Sequence, residues 1–98
     1  MIGKYLPVPH PGEILLEDYL KPMGISQNRL ALAMRVPPNR ISEIVNGKRS
    51  ISAETALRIG RALGTSGELW LGLQMEYDIR VAKQITSEII EQEVIPIY

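Results

Sequence analysis

Residues 26–49, SQNRLALAMRVPPNRISEIVNGKR, contain two short helical patterns separated by a break. Ser26 suits an N-cap, where its hydroxyl accepts an otherwise unpaired backbone N–H of the first turn. It precedes an apolar face of Leu30, Ala31 and Met34. Val36-Pro37-Pro38 ends this helix, because a residue before proline is driven out of the helical region. Pro38 then opens a second helix, where its missing N–H costs nothing. That helix runs through Asn46, with Ile41, Ile44 and Val45 as its buried side, and Gly47 stands where a terminating glycine belongs. Two helices crossing steeply need a small residue where they approach, and Ala31 supplies it.

With Ile41 and Ile44 turned inward, Asn39, Arg40, Ser42, Glu43 and Asn46 remain outward. These side chains donate or accept hydrogen bonds, and Asn39, Arg40, Ser42 and Glu43 are the candidates for reaching base edges in the major groove of DNA. Glu43 has three readings: it accepts from a cytosine amine, pairs with a neighbouring arginine, or discourages wrong sequences. Gln27, at the start of the preceding helix, is placed to touch a phosphate, as are Lys48 and Arg49 just past the second helix.

A net charge of zero argues against a nucleic-acid binder, but the charge is unevenly distributed. Residues 26–50 carry Arg29, Arg35, Arg40, Lys48 and Arg49 against Glu43, a net of +4. Residues 1–25 carry −1 and residues 51–98 carry −3. A short basic stretch between acidic flanks is what local attraction to phosphates requires.

The remaining chain also reads as helical. His10-Pro11-Gly12-Glu13 opens a first helix in which Leu15, Leu16, Tyr19 and Leu20 recur at helical spacing, and Pro22 and Gly24 stop it. Ser52 caps a fourth helix whose predicted apolar stripe is Ala53, Ala56, Leu57, Gly60 and Leu63, with Gly64 ending it. Thr65 or Ser66 caps a fifth, carrying Leu69/Trp70, Leu73, Tyr77 and Val81 in register. The last segment reads as helix to about Gln92 and then extended, because Pro96 and β-branched residues oppose a helix there. Leu71, Met75 and Ile79 exceed what one buried face needs and predict a two-fold dimer through the fifth helix or the segment after it.

At 98 residues the chain supports one domain: an N-terminal arm (1–10), a helical body (11–83) and a C-terminal extension (84–98). There are no cysteines and one histidine, so neither a thiolate site nor a multi-histidine metal site can be built. No nucleophile–base pair or phosphate-cradling glycine loop is visible, so no catalytic residue, enzyme activity, metal or cofactor is expected. No stretch reads as a signal peptide or membrane span, and a cytoplasmic protein without membrane contact is the expectation.

Residues 26–49 resemble the XRE/Cro-type helix-turn-helix. HPGEILLEDYL, RISEIVNGKRSIS, ETALRIGRALGTS and the W-x-x-L-Q-x-x-Y-D run extend the resemblance over about residues 8–83, to the HigA/VapI-like antitoxins. The resemblance implies an all-α, five-helix bundle of the lambda-repressor-like type with a short C-terminal extension. It implies a homodimeric repressor of its own promoter, reading palindromic double-stranded operator DNA and neutralising a RelE-like, mRNA-cleaving toxin called HigB. It places Asn39 and Arg40 in the first exposed turn of the recognition helix and Ser42 and Glu43 next. Asn46, Lys48 and Arg49 fall where such proteins hold the backbone. The alternative is a stand-alone or phage-type repressor with no toxin. Arg35 departs from the pattern: the turn favours glycine there, and positive φ at another residue costs on the order of 1 kcal/mol.

Overall fold

Capping residues open four of the five helices in the computed structural model, which describes residues 8–98. His10 Nδ1 accepts the Gly12 N–H at 2.9 Å and opens α1 (residues 11–23). Ser26 Oγ accepts from Arg29 at 3.0 Å and opens α2 (Gln27–Met34). Ser52 Oγ caps α4 (Ala53–Leu63) through Thr55, and Ser66 Oγ caps α5 (Gly67–Glu93) through Leu69. Only α3 (Pro38–Val45) starts without a side-chain cap, on Pro38, with the Arg40 N–H bonded to the Pro37 carbonyl. Left-handed residues end α1, α2 and α4, at Gly24, Arg35 and Gly64.

The middle of α1 departs from the regular period. Leu15–Leu20 form a π-helical stretch between α-helical turns Pro11–Ile14 and Lys21–Met23. Bonding from i to i+5 brings residues five apart closer to one face. Leu15 and Leu20 are the two buried there, while Leu16 and Tyr19 are only half-buried.

These helices close on one core: Leu15 and Leu20 from α1, Leu30, Ala31 and Met34 from α2, Ile41 and Ile44 from α3, and Ala56 and Ile59 from α4, with Ile51 and Trp70. Trp70 is fully buried, its ring edge-on to Tyr19 with centroids 4.9 Å apart. Its indole N–H donates to Thr65 Oγ1 at 2.8 Å, so burial leaves no polar group unpaired. Buried Gln74 is equally well served: its Oε1 accepts the Ile51 N–H at 2.8 Å and its Nε2 donates to Asp78 at 3.0 Å.

The buried side of α4 keeps Ala56 and Gly60 of the predicted stripe, with Leu63 packed against the core, but is rotated at its other positions. Thr55, Ala56, Ile59 and Gly60 face inward, while Ala53 is exposed and Leu57 is 62% exposed. Gly60, on both the predicted and the observed face, marks where the α4–α5 connection passes. A Cβ there would stand 2.6 Å from the carbonyl carbon of Ser66, so only glycine lets the α4–α5 connection pass. Thr55 can be buried because its hydroxyl bonds to Ser52 at 3.0 Å. On α5, Trp70 rather than Leu69 turns inward, and the helix ends at Glu93 with Val94 extended, close to the predicted boundary.

Candidate nucleic-acid interface

Three contacts hold α3 in place. Ile41 and Ile44 are fully buried beneath it. Gly12 brings the start of α1 against its end, where a Cβ would lie 1.7 Å from the Ile44 carbonyl oxygen. The turn before it is closed by the Arg35 N–H on Leu32 O and the Val36 N–H on Ala31 O, at 3.2 and 3.1 Å. Arg35 adopts φ 60° and ψ 45°, the positive-φ conformation foreseen for it, and no other non-glycine residue described does so.

Asn39, Asn46, Lys48 and Arg49 are exposed, while Arg40, Ser42, Glu43 and Gln27 are half-buried with surface to offer. Pro38 at the start of α3 makes its N-terminal turn a short, rigid projection carrying Asn39 and Arg40. The structure brings two pairs of these residues together. Glu43 Oε1 accepts from Arg49 Nε at 2.8 Å, which is the arginine-pairing reading of Glu43, and Asn46 Nδ2 donates weakly to Ser42 Oγ at 3.4 Å. The Glu43–Arg49 pair spans the end of α3 and the loop after it, orienting a guanidinium that would otherwise swing freely. The Lys48 N–H on Glu43 O at 2.8 Å and left-handed Gly47 fix the same loop.

Other residues that position the face carried little signal in the sequence. Arg58 Nη1 donates to the Met34 carbonyl at 2.7 Å, supplying a cation to the negative end of α2. Its i,i+4 spacing from Glu54 hinted at an ion pair, which forms at 3.0 Å, but nothing local pointed to Met34. His10 does more than cap: its ring meets Tyr77 edge-on at 4.9 Å and lies beside Gly47. Burial lowers the His10 pKa below its ordinary value, against the opposing pull of Asp78. On α1, Glu13, Glu17 and Asp18 are exposed, with Glu17 held by Lys21 at 2.9 Å. Ile2, Lys4, Tyr5 and Leu6 of the arm lie outside the described residues. No described helix is long and apolar enough to cross a membrane.

A tightly joined helix pair with a polar outward face on the second member defines a helix-turn-helix protein. The helix-turn-helix family model matches residues 16–70, and the chain belongs to that family. Among its relatives, virulence-associated protein I of Dichelobacter nodosus is 52% identical over 79 residues, covering 81% of this chain and 73% of that protein. Among solved structures, an addiction module antidote protein of the HigA family from Coxiella burnetii is similar with a TM-score of 0.85 and 45% identity, over 93% of this chain and 99% of that one. Antitoxin HigA of Pseudomonas aeruginosa, solved with the higBA promoter, is similar with a TM-score of 0.88 and 38% identity, over 94% and 100%.

Proposed function

We propose that this chain is a sequence-specific transcriptional repressor that binds palindromic operator DNA as a homodimer and serves as the antitoxin of a HigBA-type module. The carrying observation is the face of α3: Asn39 exposed and Arg40 half-buried on a helix locked by Ile41, Ile44 and the Gly12 contact. Asn39, Arg40 and Ser42 read base edges, Glu43 stands beside them bracing Arg49, and Gln27, Asn46, Lys48 and Arg49 hold phosphates and set register. Function is equilibrium binding in the cytoplasm, with no chemistry on a substrate. The relatives named HigA, one of them solved with promoter DNA, support the same reading.

Two copies are needed because one module buries too little surface for strong specificity. The exposed Leu71, Met75 and Ile79, four residues apart on α5, support pairing through that helix. The toxin would be RelE-like and basic, since it must hold RNA, and acidic surface outside residues 26–50 would draw it in.

A gel shift on DNA upstream of the gene tests the repressor. Asn39→Ala and Arg40→Ala should each cost about 1–3 kcal/mol and relax sequence choice at particular positions. Lys48→Ala should weaken all DNA evenly and flatten the salt dependence. Operator binding at wild-type strength by both α3 variants would remove α3 as the reading helix. Co-expression with the adjacent gene product, scored by rescue of growth and co-purification, tests the antitoxin role. A harmless neighbour with no complex would leave a plain repressor.

A further inference from the structure

The end of α2 and the neighbouring side of α4 enclose a cleft of about 320 Å³ among Ala33, Met34, Arg35, Arg58, Arg61 and Ala62. Half of this lining is arginine, and the three are held differently. Arg58 is fixed by the Met34 carbonyl at 2.7 Å and by Glu54, to which its Nε and Nη2 donate at 3.2 and 3.0 Å. Arg35 is positioned by the left-handed backbone that ends α2. Neither Arg35 nor Arg61 has an ion-pair partner among the described residues. Three arginines less the Glu54 carboxylate leave +2 at the cleft. The Met34 carbonyl, one acceptor at the end of α2, is already occupied by Arg58.

A guanidinium presents a planar fork of donors that matches phosphate oxygens in pairs. Here two forks without ion-pair partners line one cleft with a third already braced, together with the small apolar side chains Ala33 and Ala62. We propose that this cleft is a phosphate-binding site, separate from the face of α3, in which Arg35 and Arg61 grip the anion and Arg58 contributes charge. Its phosphate has two possible sources. One is the DNA backbone: in helix-turn-helix complexes the first helix of the pair crosses the backbone, and eight-residue α2, about 12 Å long, has Gln27 at one end and Arg35 at the other. The other is a free phosphorylated small molecule, for which the cleft lies at the lower end of ligand-pocket sizes.

The test uses the full chain with Arg35→Gly, Arg61→Gln and the double variant. Glycine suits the positive φ at Arg35, so charge is removed without strain, and a thermal melt verifies folding of each variant. In the first arm, inorganic phosphate is titrated while backbone amide NMR signals are followed. A free-phosphate site gives shifts grouped at residues 33–35 and 58–62, with affinity about tenfold weaker in the double variant. In the second arm, duplex affinity is measured against salt. A backbone-phosphate site lowers the slope of log K on log salt by about 0.9 for each phosphate that the variant no longer neutralises. Either positive arm upholds the site and identifies its source. Wild-type slope together with no grouped shifts overturns it, as does an effect of the variants confined to oligomeric state or protein partners. The second arm rests on DNA binding through α3, which the wild-type chain's own gel shift checks separately.

Discussion

Trp70 and Ile89 both lie on α5, yet Trp70 is fully buried and Ile89 is 51% exposed. The proximal part of the helix is tied to the body at every turn: Trp70 to Thr65 and Tyr19, Gln74 to Ile51, Tyr77 to His10. Beyond Val81, Thr86 Oγ1 donates to the Ala82 carbonyl of its own helix at 2.7 Å. Ile85, Ile89 and Ile90 stand exposed. A helical segment of a dozen residues is marginal on its own in water. Continuity with an anchored helix supports the distal part, whose isoleucines lie at the surface. The same helix thus carries a fully buried anchor at Trp70 and exposed apolar side chains along the rest of its length, the surface of the proposed pairing.

The sharpest way to break this comparison is a melt across protein concentrations. Trp70→Ala should cost about 3–5 kcal/mol at every concentration, because it empties the core. Ile89→Ser should lower the melting temperature only where the dimer is populated, and its effect should vanish on dilution. A concentration-independent loss in Ile89→Ser would mean that the distal half packs within its own chain.

A smaller effect sharpens the proximal side. Gln74→Leu keeps bulk but strands the Ile51 N–H, at a cost of about 1–3 kcal/mol in urea unfolding. A near-wild-type midpoint would show that the bond to Gln74 contributes little to anchoring. On the recognition side, Arg35→Gly should raise stability by up to about 1 kcal/mol, since the turn already holds positive φ. A loss in the same unfolding measurement would show that the Arg35 side chain supports the turn.

The smallest effect is one of pH, at the contact joining α1 to proximal α5. His10 has a lowered folded pKa and accepts through Nδ1, so the unfolded chain takes up its proton first. Stability is therefore fully present above the ordinary histidine value of 6.5 and declines as pH falls from there toward the lower folded value. His10→Asn retains a capping side chain and should lose this slope. Urea midpoints between about pH 5.5 and 7.5, above the carboxylate range, measure it. An unchanged slope in the variant would assign the pH dependence to another group.

Much of this molecule was legible in the sequence because its determinants are local. Ser26, Ser52 and Ser66 cap the helices they precede, and Ile41 and Ile44 at helical spacing made the inward side of α3, and so its outward face, readable. Arg35 announced a left-handed turn by standing where glycine is favoured. Tertiary packing decided the rest. Local periodicity put Leu57 on the buried stripe of α4, whereas packing buries Ile59 and leaves Leu57 62% exposed. The π-helical stretch of α1, which buries Leu15 with Leu20, escaped a pattern read at the α-helical period. Arg58 reaches Met34 and Gln74 reaches Ile51 across separations of 24 and 23 residues, which neighbouring sequence does not encode. Capping and amphipathic spacing act within a turn or two of helix, whereas a helix's rotation about its axis and a long side chain's partner depend on where other segments arrive.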